Sequence, residues 1–187
     1  MSFIALIALL QGPTIVSREE WGARPPVLER VRHSPSRITI HHAGVPQKPD
    51  VPLETKLLNL QAWCQREDKL ASGKVKPVWA DIPYHFYIST DGRIGECRQV
   101  CYVGDTNTEY DPTGHLLIVV EGDTEKEAVT SAQAASLKWL TLQLAKTWRI
   151  PAKMIAGHKD FAQTDCPGKG LYEMLPELRR LVSESGH

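Results

Sequence analysis

The chain has 187 residues, the size of one globular domain able to bury a substantial core. Its 22 Lys and Arg residues balance 22 Asp and Glu residues, and no basic block with interleaved aromatics occurs, which argues against a nucleic-acid binder. No apolar run reaches the roughly 18 residues of a spanning helix, which argues against a transmembrane helix.

Residues Phe3 to Leu10 are apolar enough for a short signal core but lack the preceding basic residues, and they fit equally a first strand or short helix packed on the domain. Gln11-Gly12-Pro13 ends that stretch, so residues 1–12 read as a segment of their own and 13–187 as one domain. Arg37–His41 is β-like, and the proline-bearing stretch 45–51 that follows reads as a loop. Leu53, Leu57, Leu60 and Cys64 fall on one helical face, predicting a helix to about Leu70. Residues 69–83 are loop-like, Tyr84–Ser89 is a strand, and Asp91-Gly92 marks a hairpin turn. After another polar loop at 105–114 come a strand at Leu116–Glu121 and a helix starting at Thr130-Ser131 that carries Leu137, Leu140, Leu144 and Trp148. A strand at Lys153–Ala156 and a last helix through Leu171, Leu175, Leu178 and Val182 complete the chain. Strands alternating with helices predict an α/β single domain, a mixed central sheet with helices on both faces and loops walling a groove at the strand ends.

Two segments carry the chemistry. One ends the first long strand at His41-His42, and the other runs from Gly157-His158 to Cys166-Pro167-Gly168. Singly, each residue has a plainer reading as a core histidine or a small buried thiol. Jointly, His41, His158 and Cys166 supply two imidazoles and a thiolate, three ligands of the kind zinc takes when a fourth position is kept for water. Of the other cysteines, Cys64 sits on an apolar helical face. Cys97 and Cys101 would lie roughly 13 Å apart in an extended strand, too far for a disulfide unless the backbone turns, so free thiols are expected.

Four ordered motifs resemble the zinc-dependent N-acetylmuramoyl-L-alanine amidases, the group that includes amidase-type phage lysozymes and peptidoglycan recognition proteins. They are residues Ile15 to Ala23, Ile38 to His42, Ile82 to Ile94, and Gly157 to Gly168. The resemblance implies zinc on His41, His158 and Cys166, with Tyr84 beside the metal. It implies hydrolysis of the amide between N-acetylmuramic acid and L-alanine by a zinc-activated water, on a muramyl peptide, by a monomer. The place of action would face the cell wall, secreted or periplasmic, or be that of a phage endolysin released at lysis.

Some phage members carry a lysine two residues before the cysteine ligand; here that position is Thr164, as in catalytic recognition proteins, and a Tyr84/Thr164 pair is the expected auxiliary set. Other bacterial members place a glutamate where this chain aligns Val119; Glu121 shares its strand face and is either a substitute for it or, as the favoured expectation, a solvated strand-end carboxylate. His42 and His85 are expected to face away from the metal, Asp160 either to orient an imidazole or to cap a turn, and His115 carries no assignment. Gln99 and Val100 match the family's stem-peptide selectivity positions without copying one stem-peptide pattern. The competing reading is a module that binds peptidoglycan in the same groove without cutting; loss of a zinc ligand would mark it, and none is lost here.

Overall fold

The computed structural model describes residues 12–70 and 73–186, so the apolar segment at 1–11 lies outside the described residues. A six-stranded sheet runs in the order β1-β6-β5-β7-β2-β8, formed by β1 (Ile15–Val16), β2 (Arg37–His42), β5 (Phe86–Ile88), β6 (Ile94–Glu96), β7 (His115–Val120) and β8 (Ile155–Gly157). The pairs β5–β7, β7–β2 and β2–β8 are parallel, whereas β5 and β6 form the antiparallel hairpin that Asp91-Gly92 predicts. The architecture is thus a mixed sheet in a single α/β domain, as the alternation of strands and helices implies.

Alternation along β2 and β7 sorts side chains between two helical layers. Ile38, Ile40, Leu116, Ile118 and Val120 share one cluster with Leu137, Leu140 and Leu144 of α2 (Ser131–Trp148) and Leu178 and Val182 of α4 (Leu175–Glu184). Val119, with Tyr87 of β5, instead joins Leu53 and Leu57 of α1 (Leu53–Cys64) and Trp21. At about 1.5–3 kcal/mol for each fully buried aliphatic side chain, these clusters dominate the folding energy. The start of α2 is set by a reciprocal capping box, in which Thr130 Oγ1 accepts from Gln133 N and Gln133 Oε1 accepts from Thr130 N.

The strand expected at Tyr84–Ser89 is shorter, Phe86–Ile88, the one at Leu116–Glu121 is shifted by one to His115–Val120, and three further boundaries differ more. Helix α1 ends at Cys64 rather than near Leu70, because the chain turns back into the hairpin β3 (Asp68–Lys69) and β4 (Val75–Lys76). The fully buried Lys76 ammonium donates to the carbonyls of Cys64 at 3.1 Å, Arg66 at 2.7 Å and Pro77 at 2.7 Å, closing the helix end. The last helix is two, α3 (Lys169–Tyr172) and α4, broken where Pro176 cannot donate the next helical bond. The strand expected at Lys153–Ala156 is shorter and shifted, Ile155–Gly157 preceded by a 3-10 turn. Cys64 and Cys97 are buried, and all four cysteines are free thiols. Among the described residues, no helix is long and apolar enough to cross a membrane.

Candidate metal centre and its groove

In the parallel pair β2–β8, Ile40 lies opposite Gly157. The residues that follow, His41 within β2 and His158 just after β8, therefore lie side by side near the carboxyl edge of the sheet, with ring centroids 4.4 Å apart. The following loop returns Cys166 to them. Lys159 N donates to Cys166 O at 2.8 Å, Cys166 N donates to Thr164 Oγ1 at 3.2 Å, and His42 N donates to Cys166 Sγ at 3.4 Å.

One donor atom from each of His41, His158 and Cys166 lies within 4.8 Å of the others. Zinc–sulfur and zinc–nitrogen distances of about 2.3 and 2.1 Å at a tetrahedral angle place the two ligands about 3.6 Å apart. Cys166 Sγ lies 3.6 Å from His41 Nδ1. Two imidazoles and a thiol are also a donor set for zinc rather than for the oxygen-seeking calcium or magnesium. His41 Nδ1 faces the Cys166 sulfur, while its Nε2 is buried with no hydrogen-bond partner. Geometry and donor chemistry thus both fit a zinc-sized cation.

Burial governs protonation here. It holds the His41 imidazole well below its ordinary range, reinforced by the neighbouring His158, His115 and His42, and brings His158 down to about 4. Both rings are neutral at pH 7, as ligands must be. Burial pushes the Cys166 thiol up to about 12, against the lowering effect of the His42 amide, so a cation must displace its proton.

Tyr84 lies just before β5, its ring 5.3 Å from that of His41. Burial raises its phenol well above the usual range, so it remains a donor. Tyr84 and Thr164 border the same hollow of about 220 Å³ as His41, His158 and Cys166. This hollow opens into a larger groove of about 630 Å³, the two sharing Ala43, Trp79, Pro83, Tyr84 and Asn107. Val119 and Tyr87 form part of the groove's lining from the sheet, and Lys56, Leu60 and Trp63 line it from α1. Lys76 Nζ sits 4.9 Å from the Trp63 ring and 4.7 Å from the Trp79 ring, tying this wall to the end of α1.

Glu121, Gln99 and Val100 depart from expectation, whereas Asp160 takes one of its two expected roles and His85 faces away as expected. Glu121 is buried, not solvated: its carboxylate accepts from Lys56 Nζ at 2.8 Å, Lys48 N at 2.8 Å and Thr90 N at 2.9 Å. Two loop amides and a lysine of α1 supply donors that bulk water would otherwise provide. Asp160 takes the capping role, accepting from Gly157 N and from the Tyr172 hydroxyl. Gln99 accepts from Arg30, while Val100 packs against the core, and neither borders the groove. His85 faces away from the metal cluster, stacked on His33 at 5.7 Å.

Two contributors to the cluster lie in the loop at 105–110, read from sequence only as a polar groove wall. Thr108 Oγ1 is 2.7 Å from His158 Nε2, and the Tyr110 ring is 5.1 Å from the His158 ring. The loop is anchored by the buried Arg98, whose guanidinium donates to Ile82 O, Asp81 O, Val103 O and the Asp105 carboxylate. Neither periodicity nor spacing marks these residues in the sequence.

Residues 31–169, well over half of the chain, match the family model described as N-acetylmuramoyl-L-alanine amidase. The chain belongs to the N-acetylmuramoyl-L-alanine amidase family. Within it, this amidase-family chain is 32% identical over 167 residues to peptidoglycan-recognition protein SC2 of Drosophila simulans, covering 88% of this chain and 85% of that one. Its fold is similar to the crystal structure of Drosophila peptidoglycan recognition protein SD, with a TM-score of 0.74, 26% identity and coverage of 89% and 95% of the two chains. It is also similar to an N-acetylmuramoyl-L-alanine amidase of Clostridium intestinale, with a TM-score of 0.66, 26% identity and coverage of 88% and 96%. The similar proteins therefore carry both recognition-protein and amidase names.

Proposed function

We propose that this chain is a zinc-dependent peptidoglycan hydrolase that cleaves the amide between N-acetylmuramic acid and the L-alanine of the stem peptide, acting on the cell-wall side of the membrane. The observation that carries this reading is the complete set of three donors, His41, His158 and Cys166, converging on a hollow that Tyr84 borders. When bound, zinc supplies a nucleophile at neutral pH and polarises the scissile carbonyl. Tyr84 donates its hydroxyl to the oxygen on which negative charge develops. Thr164 uses an oxygen lone pair to accept from Cys166 N, which leaves its hydroxyl proton for the reacting groups. The stem peptide lies in the adjoining groove, between Trp63 and Trp79 on one side and Val119 on its floor. Glu121 takes no part in proton transfer, because Lys56, Lys48 and Thr90 already engage its carboxylate.

The recognition-protein names among the similar chains favour a second reading, binding of peptidoglycan without cleavage. One experiment separates them: digestion of purified peptidoglycan with and without chelator and restored zinc, followed by mass spectrometry of new chain ends. Free L-alanine amino termini that vanish with chelator and return with zinc support the amidase. Tight binding without new ends supports the recognition module, and new reducing sugar ends exclude both.

A further inference from the structure

We propose that Thr108 is a positioning residue for His158: it holds the Nε2 side of the ring through its hydroxyl and so commits Nδ1 to the cation. This rests on the metal reading above. Thr108 Oγ1 lies 2.7 Å from His158 Nε2 and 2.8 Å from Thr106 Oγ1, and Thr108 N donates to Thr106 Oγ1 at 3.0 Å. With a cation on Nδ1, Nε2 carries the proton and donates to Thr108 Oγ1. The Thr108 hydroxyl then donates to Thr106 Oγ1, giving a directed chain from metal ligand to loop. Such a partner on the other nitrogen fixes the tautomer and ring angle of a metal-bound imidazole, and His158 has one where the Nε2 of His41 has none. Asp160, the carboxylate nearest His158 in sequence, is spent on Gly157 N and the Tyr172 hydroxyl. The hydroxyl of Thr108 takes that place from a different part of the chain.

Packing supports the same geometry. The Tyr110 ring lies 5.1 Å from His158, tilted at 54°, and 6.0 Å from Phe161, so residues two apart in one loop touch the imidazole by ring packing and by hydrogen bond. Arg98 holds the base of that loop at Asp105. The hydroxyl is therefore presented by an anchored backbone, and its loss cannot be made good by rotation of a long side chain.

The test compares wild type, Thr108→Val and Thr108→Ser, with zinc affinity measured by competition against a chromogenic chelator. Melting of the metal-free proteins is followed in parallel. Thr108→Val keeps the shape and removes the hydrogen bond; the expected result is zinc affinity lower by roughly 10–100-fold, with metal-free melting unchanged. Thr108→Ser should restore affinity to within about threefold, as it retains the hydroxyl. In the zinc-loaded protein, nitrogen-15 NMR should show His158 Nδ1 on the metal and a slowly exchanging Nε2 proton in wild type and Thr108→Ser. Unchanged affinity in Thr108→Val, or zinc on Nε2, overturns the assignment even if the protein is a zinc amidase. A parallel fall in metal-free melting and zinc affinity in both variants also overturns it, showing a purely structural threonine. Failure of the wild type to bind zinc would instead remove the metal reading, and this inference with it.

Discussion

The two faces of the sheet are built from alternate residues of the same strands and do different work. The face under α2 and α4 is a continuous aliphatic cluster, and the polar side chains that reach its edge, such as Gln133 and Ser136, bond to the backbone carbonyls of Glu121 and Gly92. The face under α1 has a smaller apolar cluster and a larger share of buried polar groups. One helix cannot cover that face, so loops complete it, and each is held by a buried side chain: Lys76 for the hairpin after α1, Arg98 for the loop at 105–110, Glu121 for those bearing Lys48 and Thr90. A packed helix layer needs only complementary shape, whereas loops carry unpaired backbone groups that need partners. Those same loops leave room for a groove, which is why the donors and the hollow occur on this side.

The sharpest way to break this contrast is Cys166→Ser. On the proposed function it should abolish zinc retention and lower amide hydrolysis by about 10³-fold or more, on the scale of removing an essential electrostatic group. Metal-free melting should move little, since the thiol's contacts are to the site; unchanged turnover on purified peptidoglycan would remove the metal assignment. Tyr84→Phe should lower turnover by about 10²-fold with zinc retained, and Thr164→Ala by less. Near-normal rates in both, measured with metal content checked, would reduce the pair to structural roles.

Stability measurements sharpen the contrast further. Glu121→Gln leaves Lys56 as a buried unpaired charge and should cost about 3 kcal/mol in denaturant melts, with partial recovery in the Glu121→Gln/Lys56→Met double variant. A loss under about 0.5 kcal/mol, the range of ordinary surface substitutions, would show that the pair does not hold the groove.

The most gradual effect concerns pH. Burial brings His85 down to about 3 from 6.5, and its ring accepts from Leu117 N while its other nitrogen donates to Tyr102 O. Below about pH 6.5 the unfolded chain therefore binds a proton that the folded chain refuses, so stability is lost as pH falls, with His33 adding in the same direction. The slope for one such histidine is about 1.4 kcal/mol per pH unit. Melts from pH 7 to 4 should show a smaller slope in His85→Asn than in wild type; equal slopes would mean that other groups dominate.

Much of the fold was legible in one dimension. The Thr130 start, the Asp91-Gly92 turn and the apolar faces of α1 and α2 are local rules, and each is written within a few residues. The failures share a cause. Helix α1 stops where a lysine twelve residues beyond Cys64 reaches its last carbonyl, and Glu121 becomes a buried ion-pair partner because Lys56 and two loop amides arrive from distant segments. Neither partner is marked by spacing.

The same division holds at the centre. Residue chemistry alone nominated His41, His158 and Cys166, because few sets of two imidazoles and a thiol follow strand ends and turn formers in this way. What brings them together is the parallel register of β2 against β8 and the return of the Cys166 loop, which are pairings across more than a hundred residues. Thr108 and Tyr110 were invisible in sequence, since a threonine acquires its role only when an imidazole nitrogen comes within hydrogen-bond reach. Local propensity and side-chain chemistry are properties of the chain itself. Proximity between remote segments, and the buried electrostatics that follow from it, exist only once the sheet has closed.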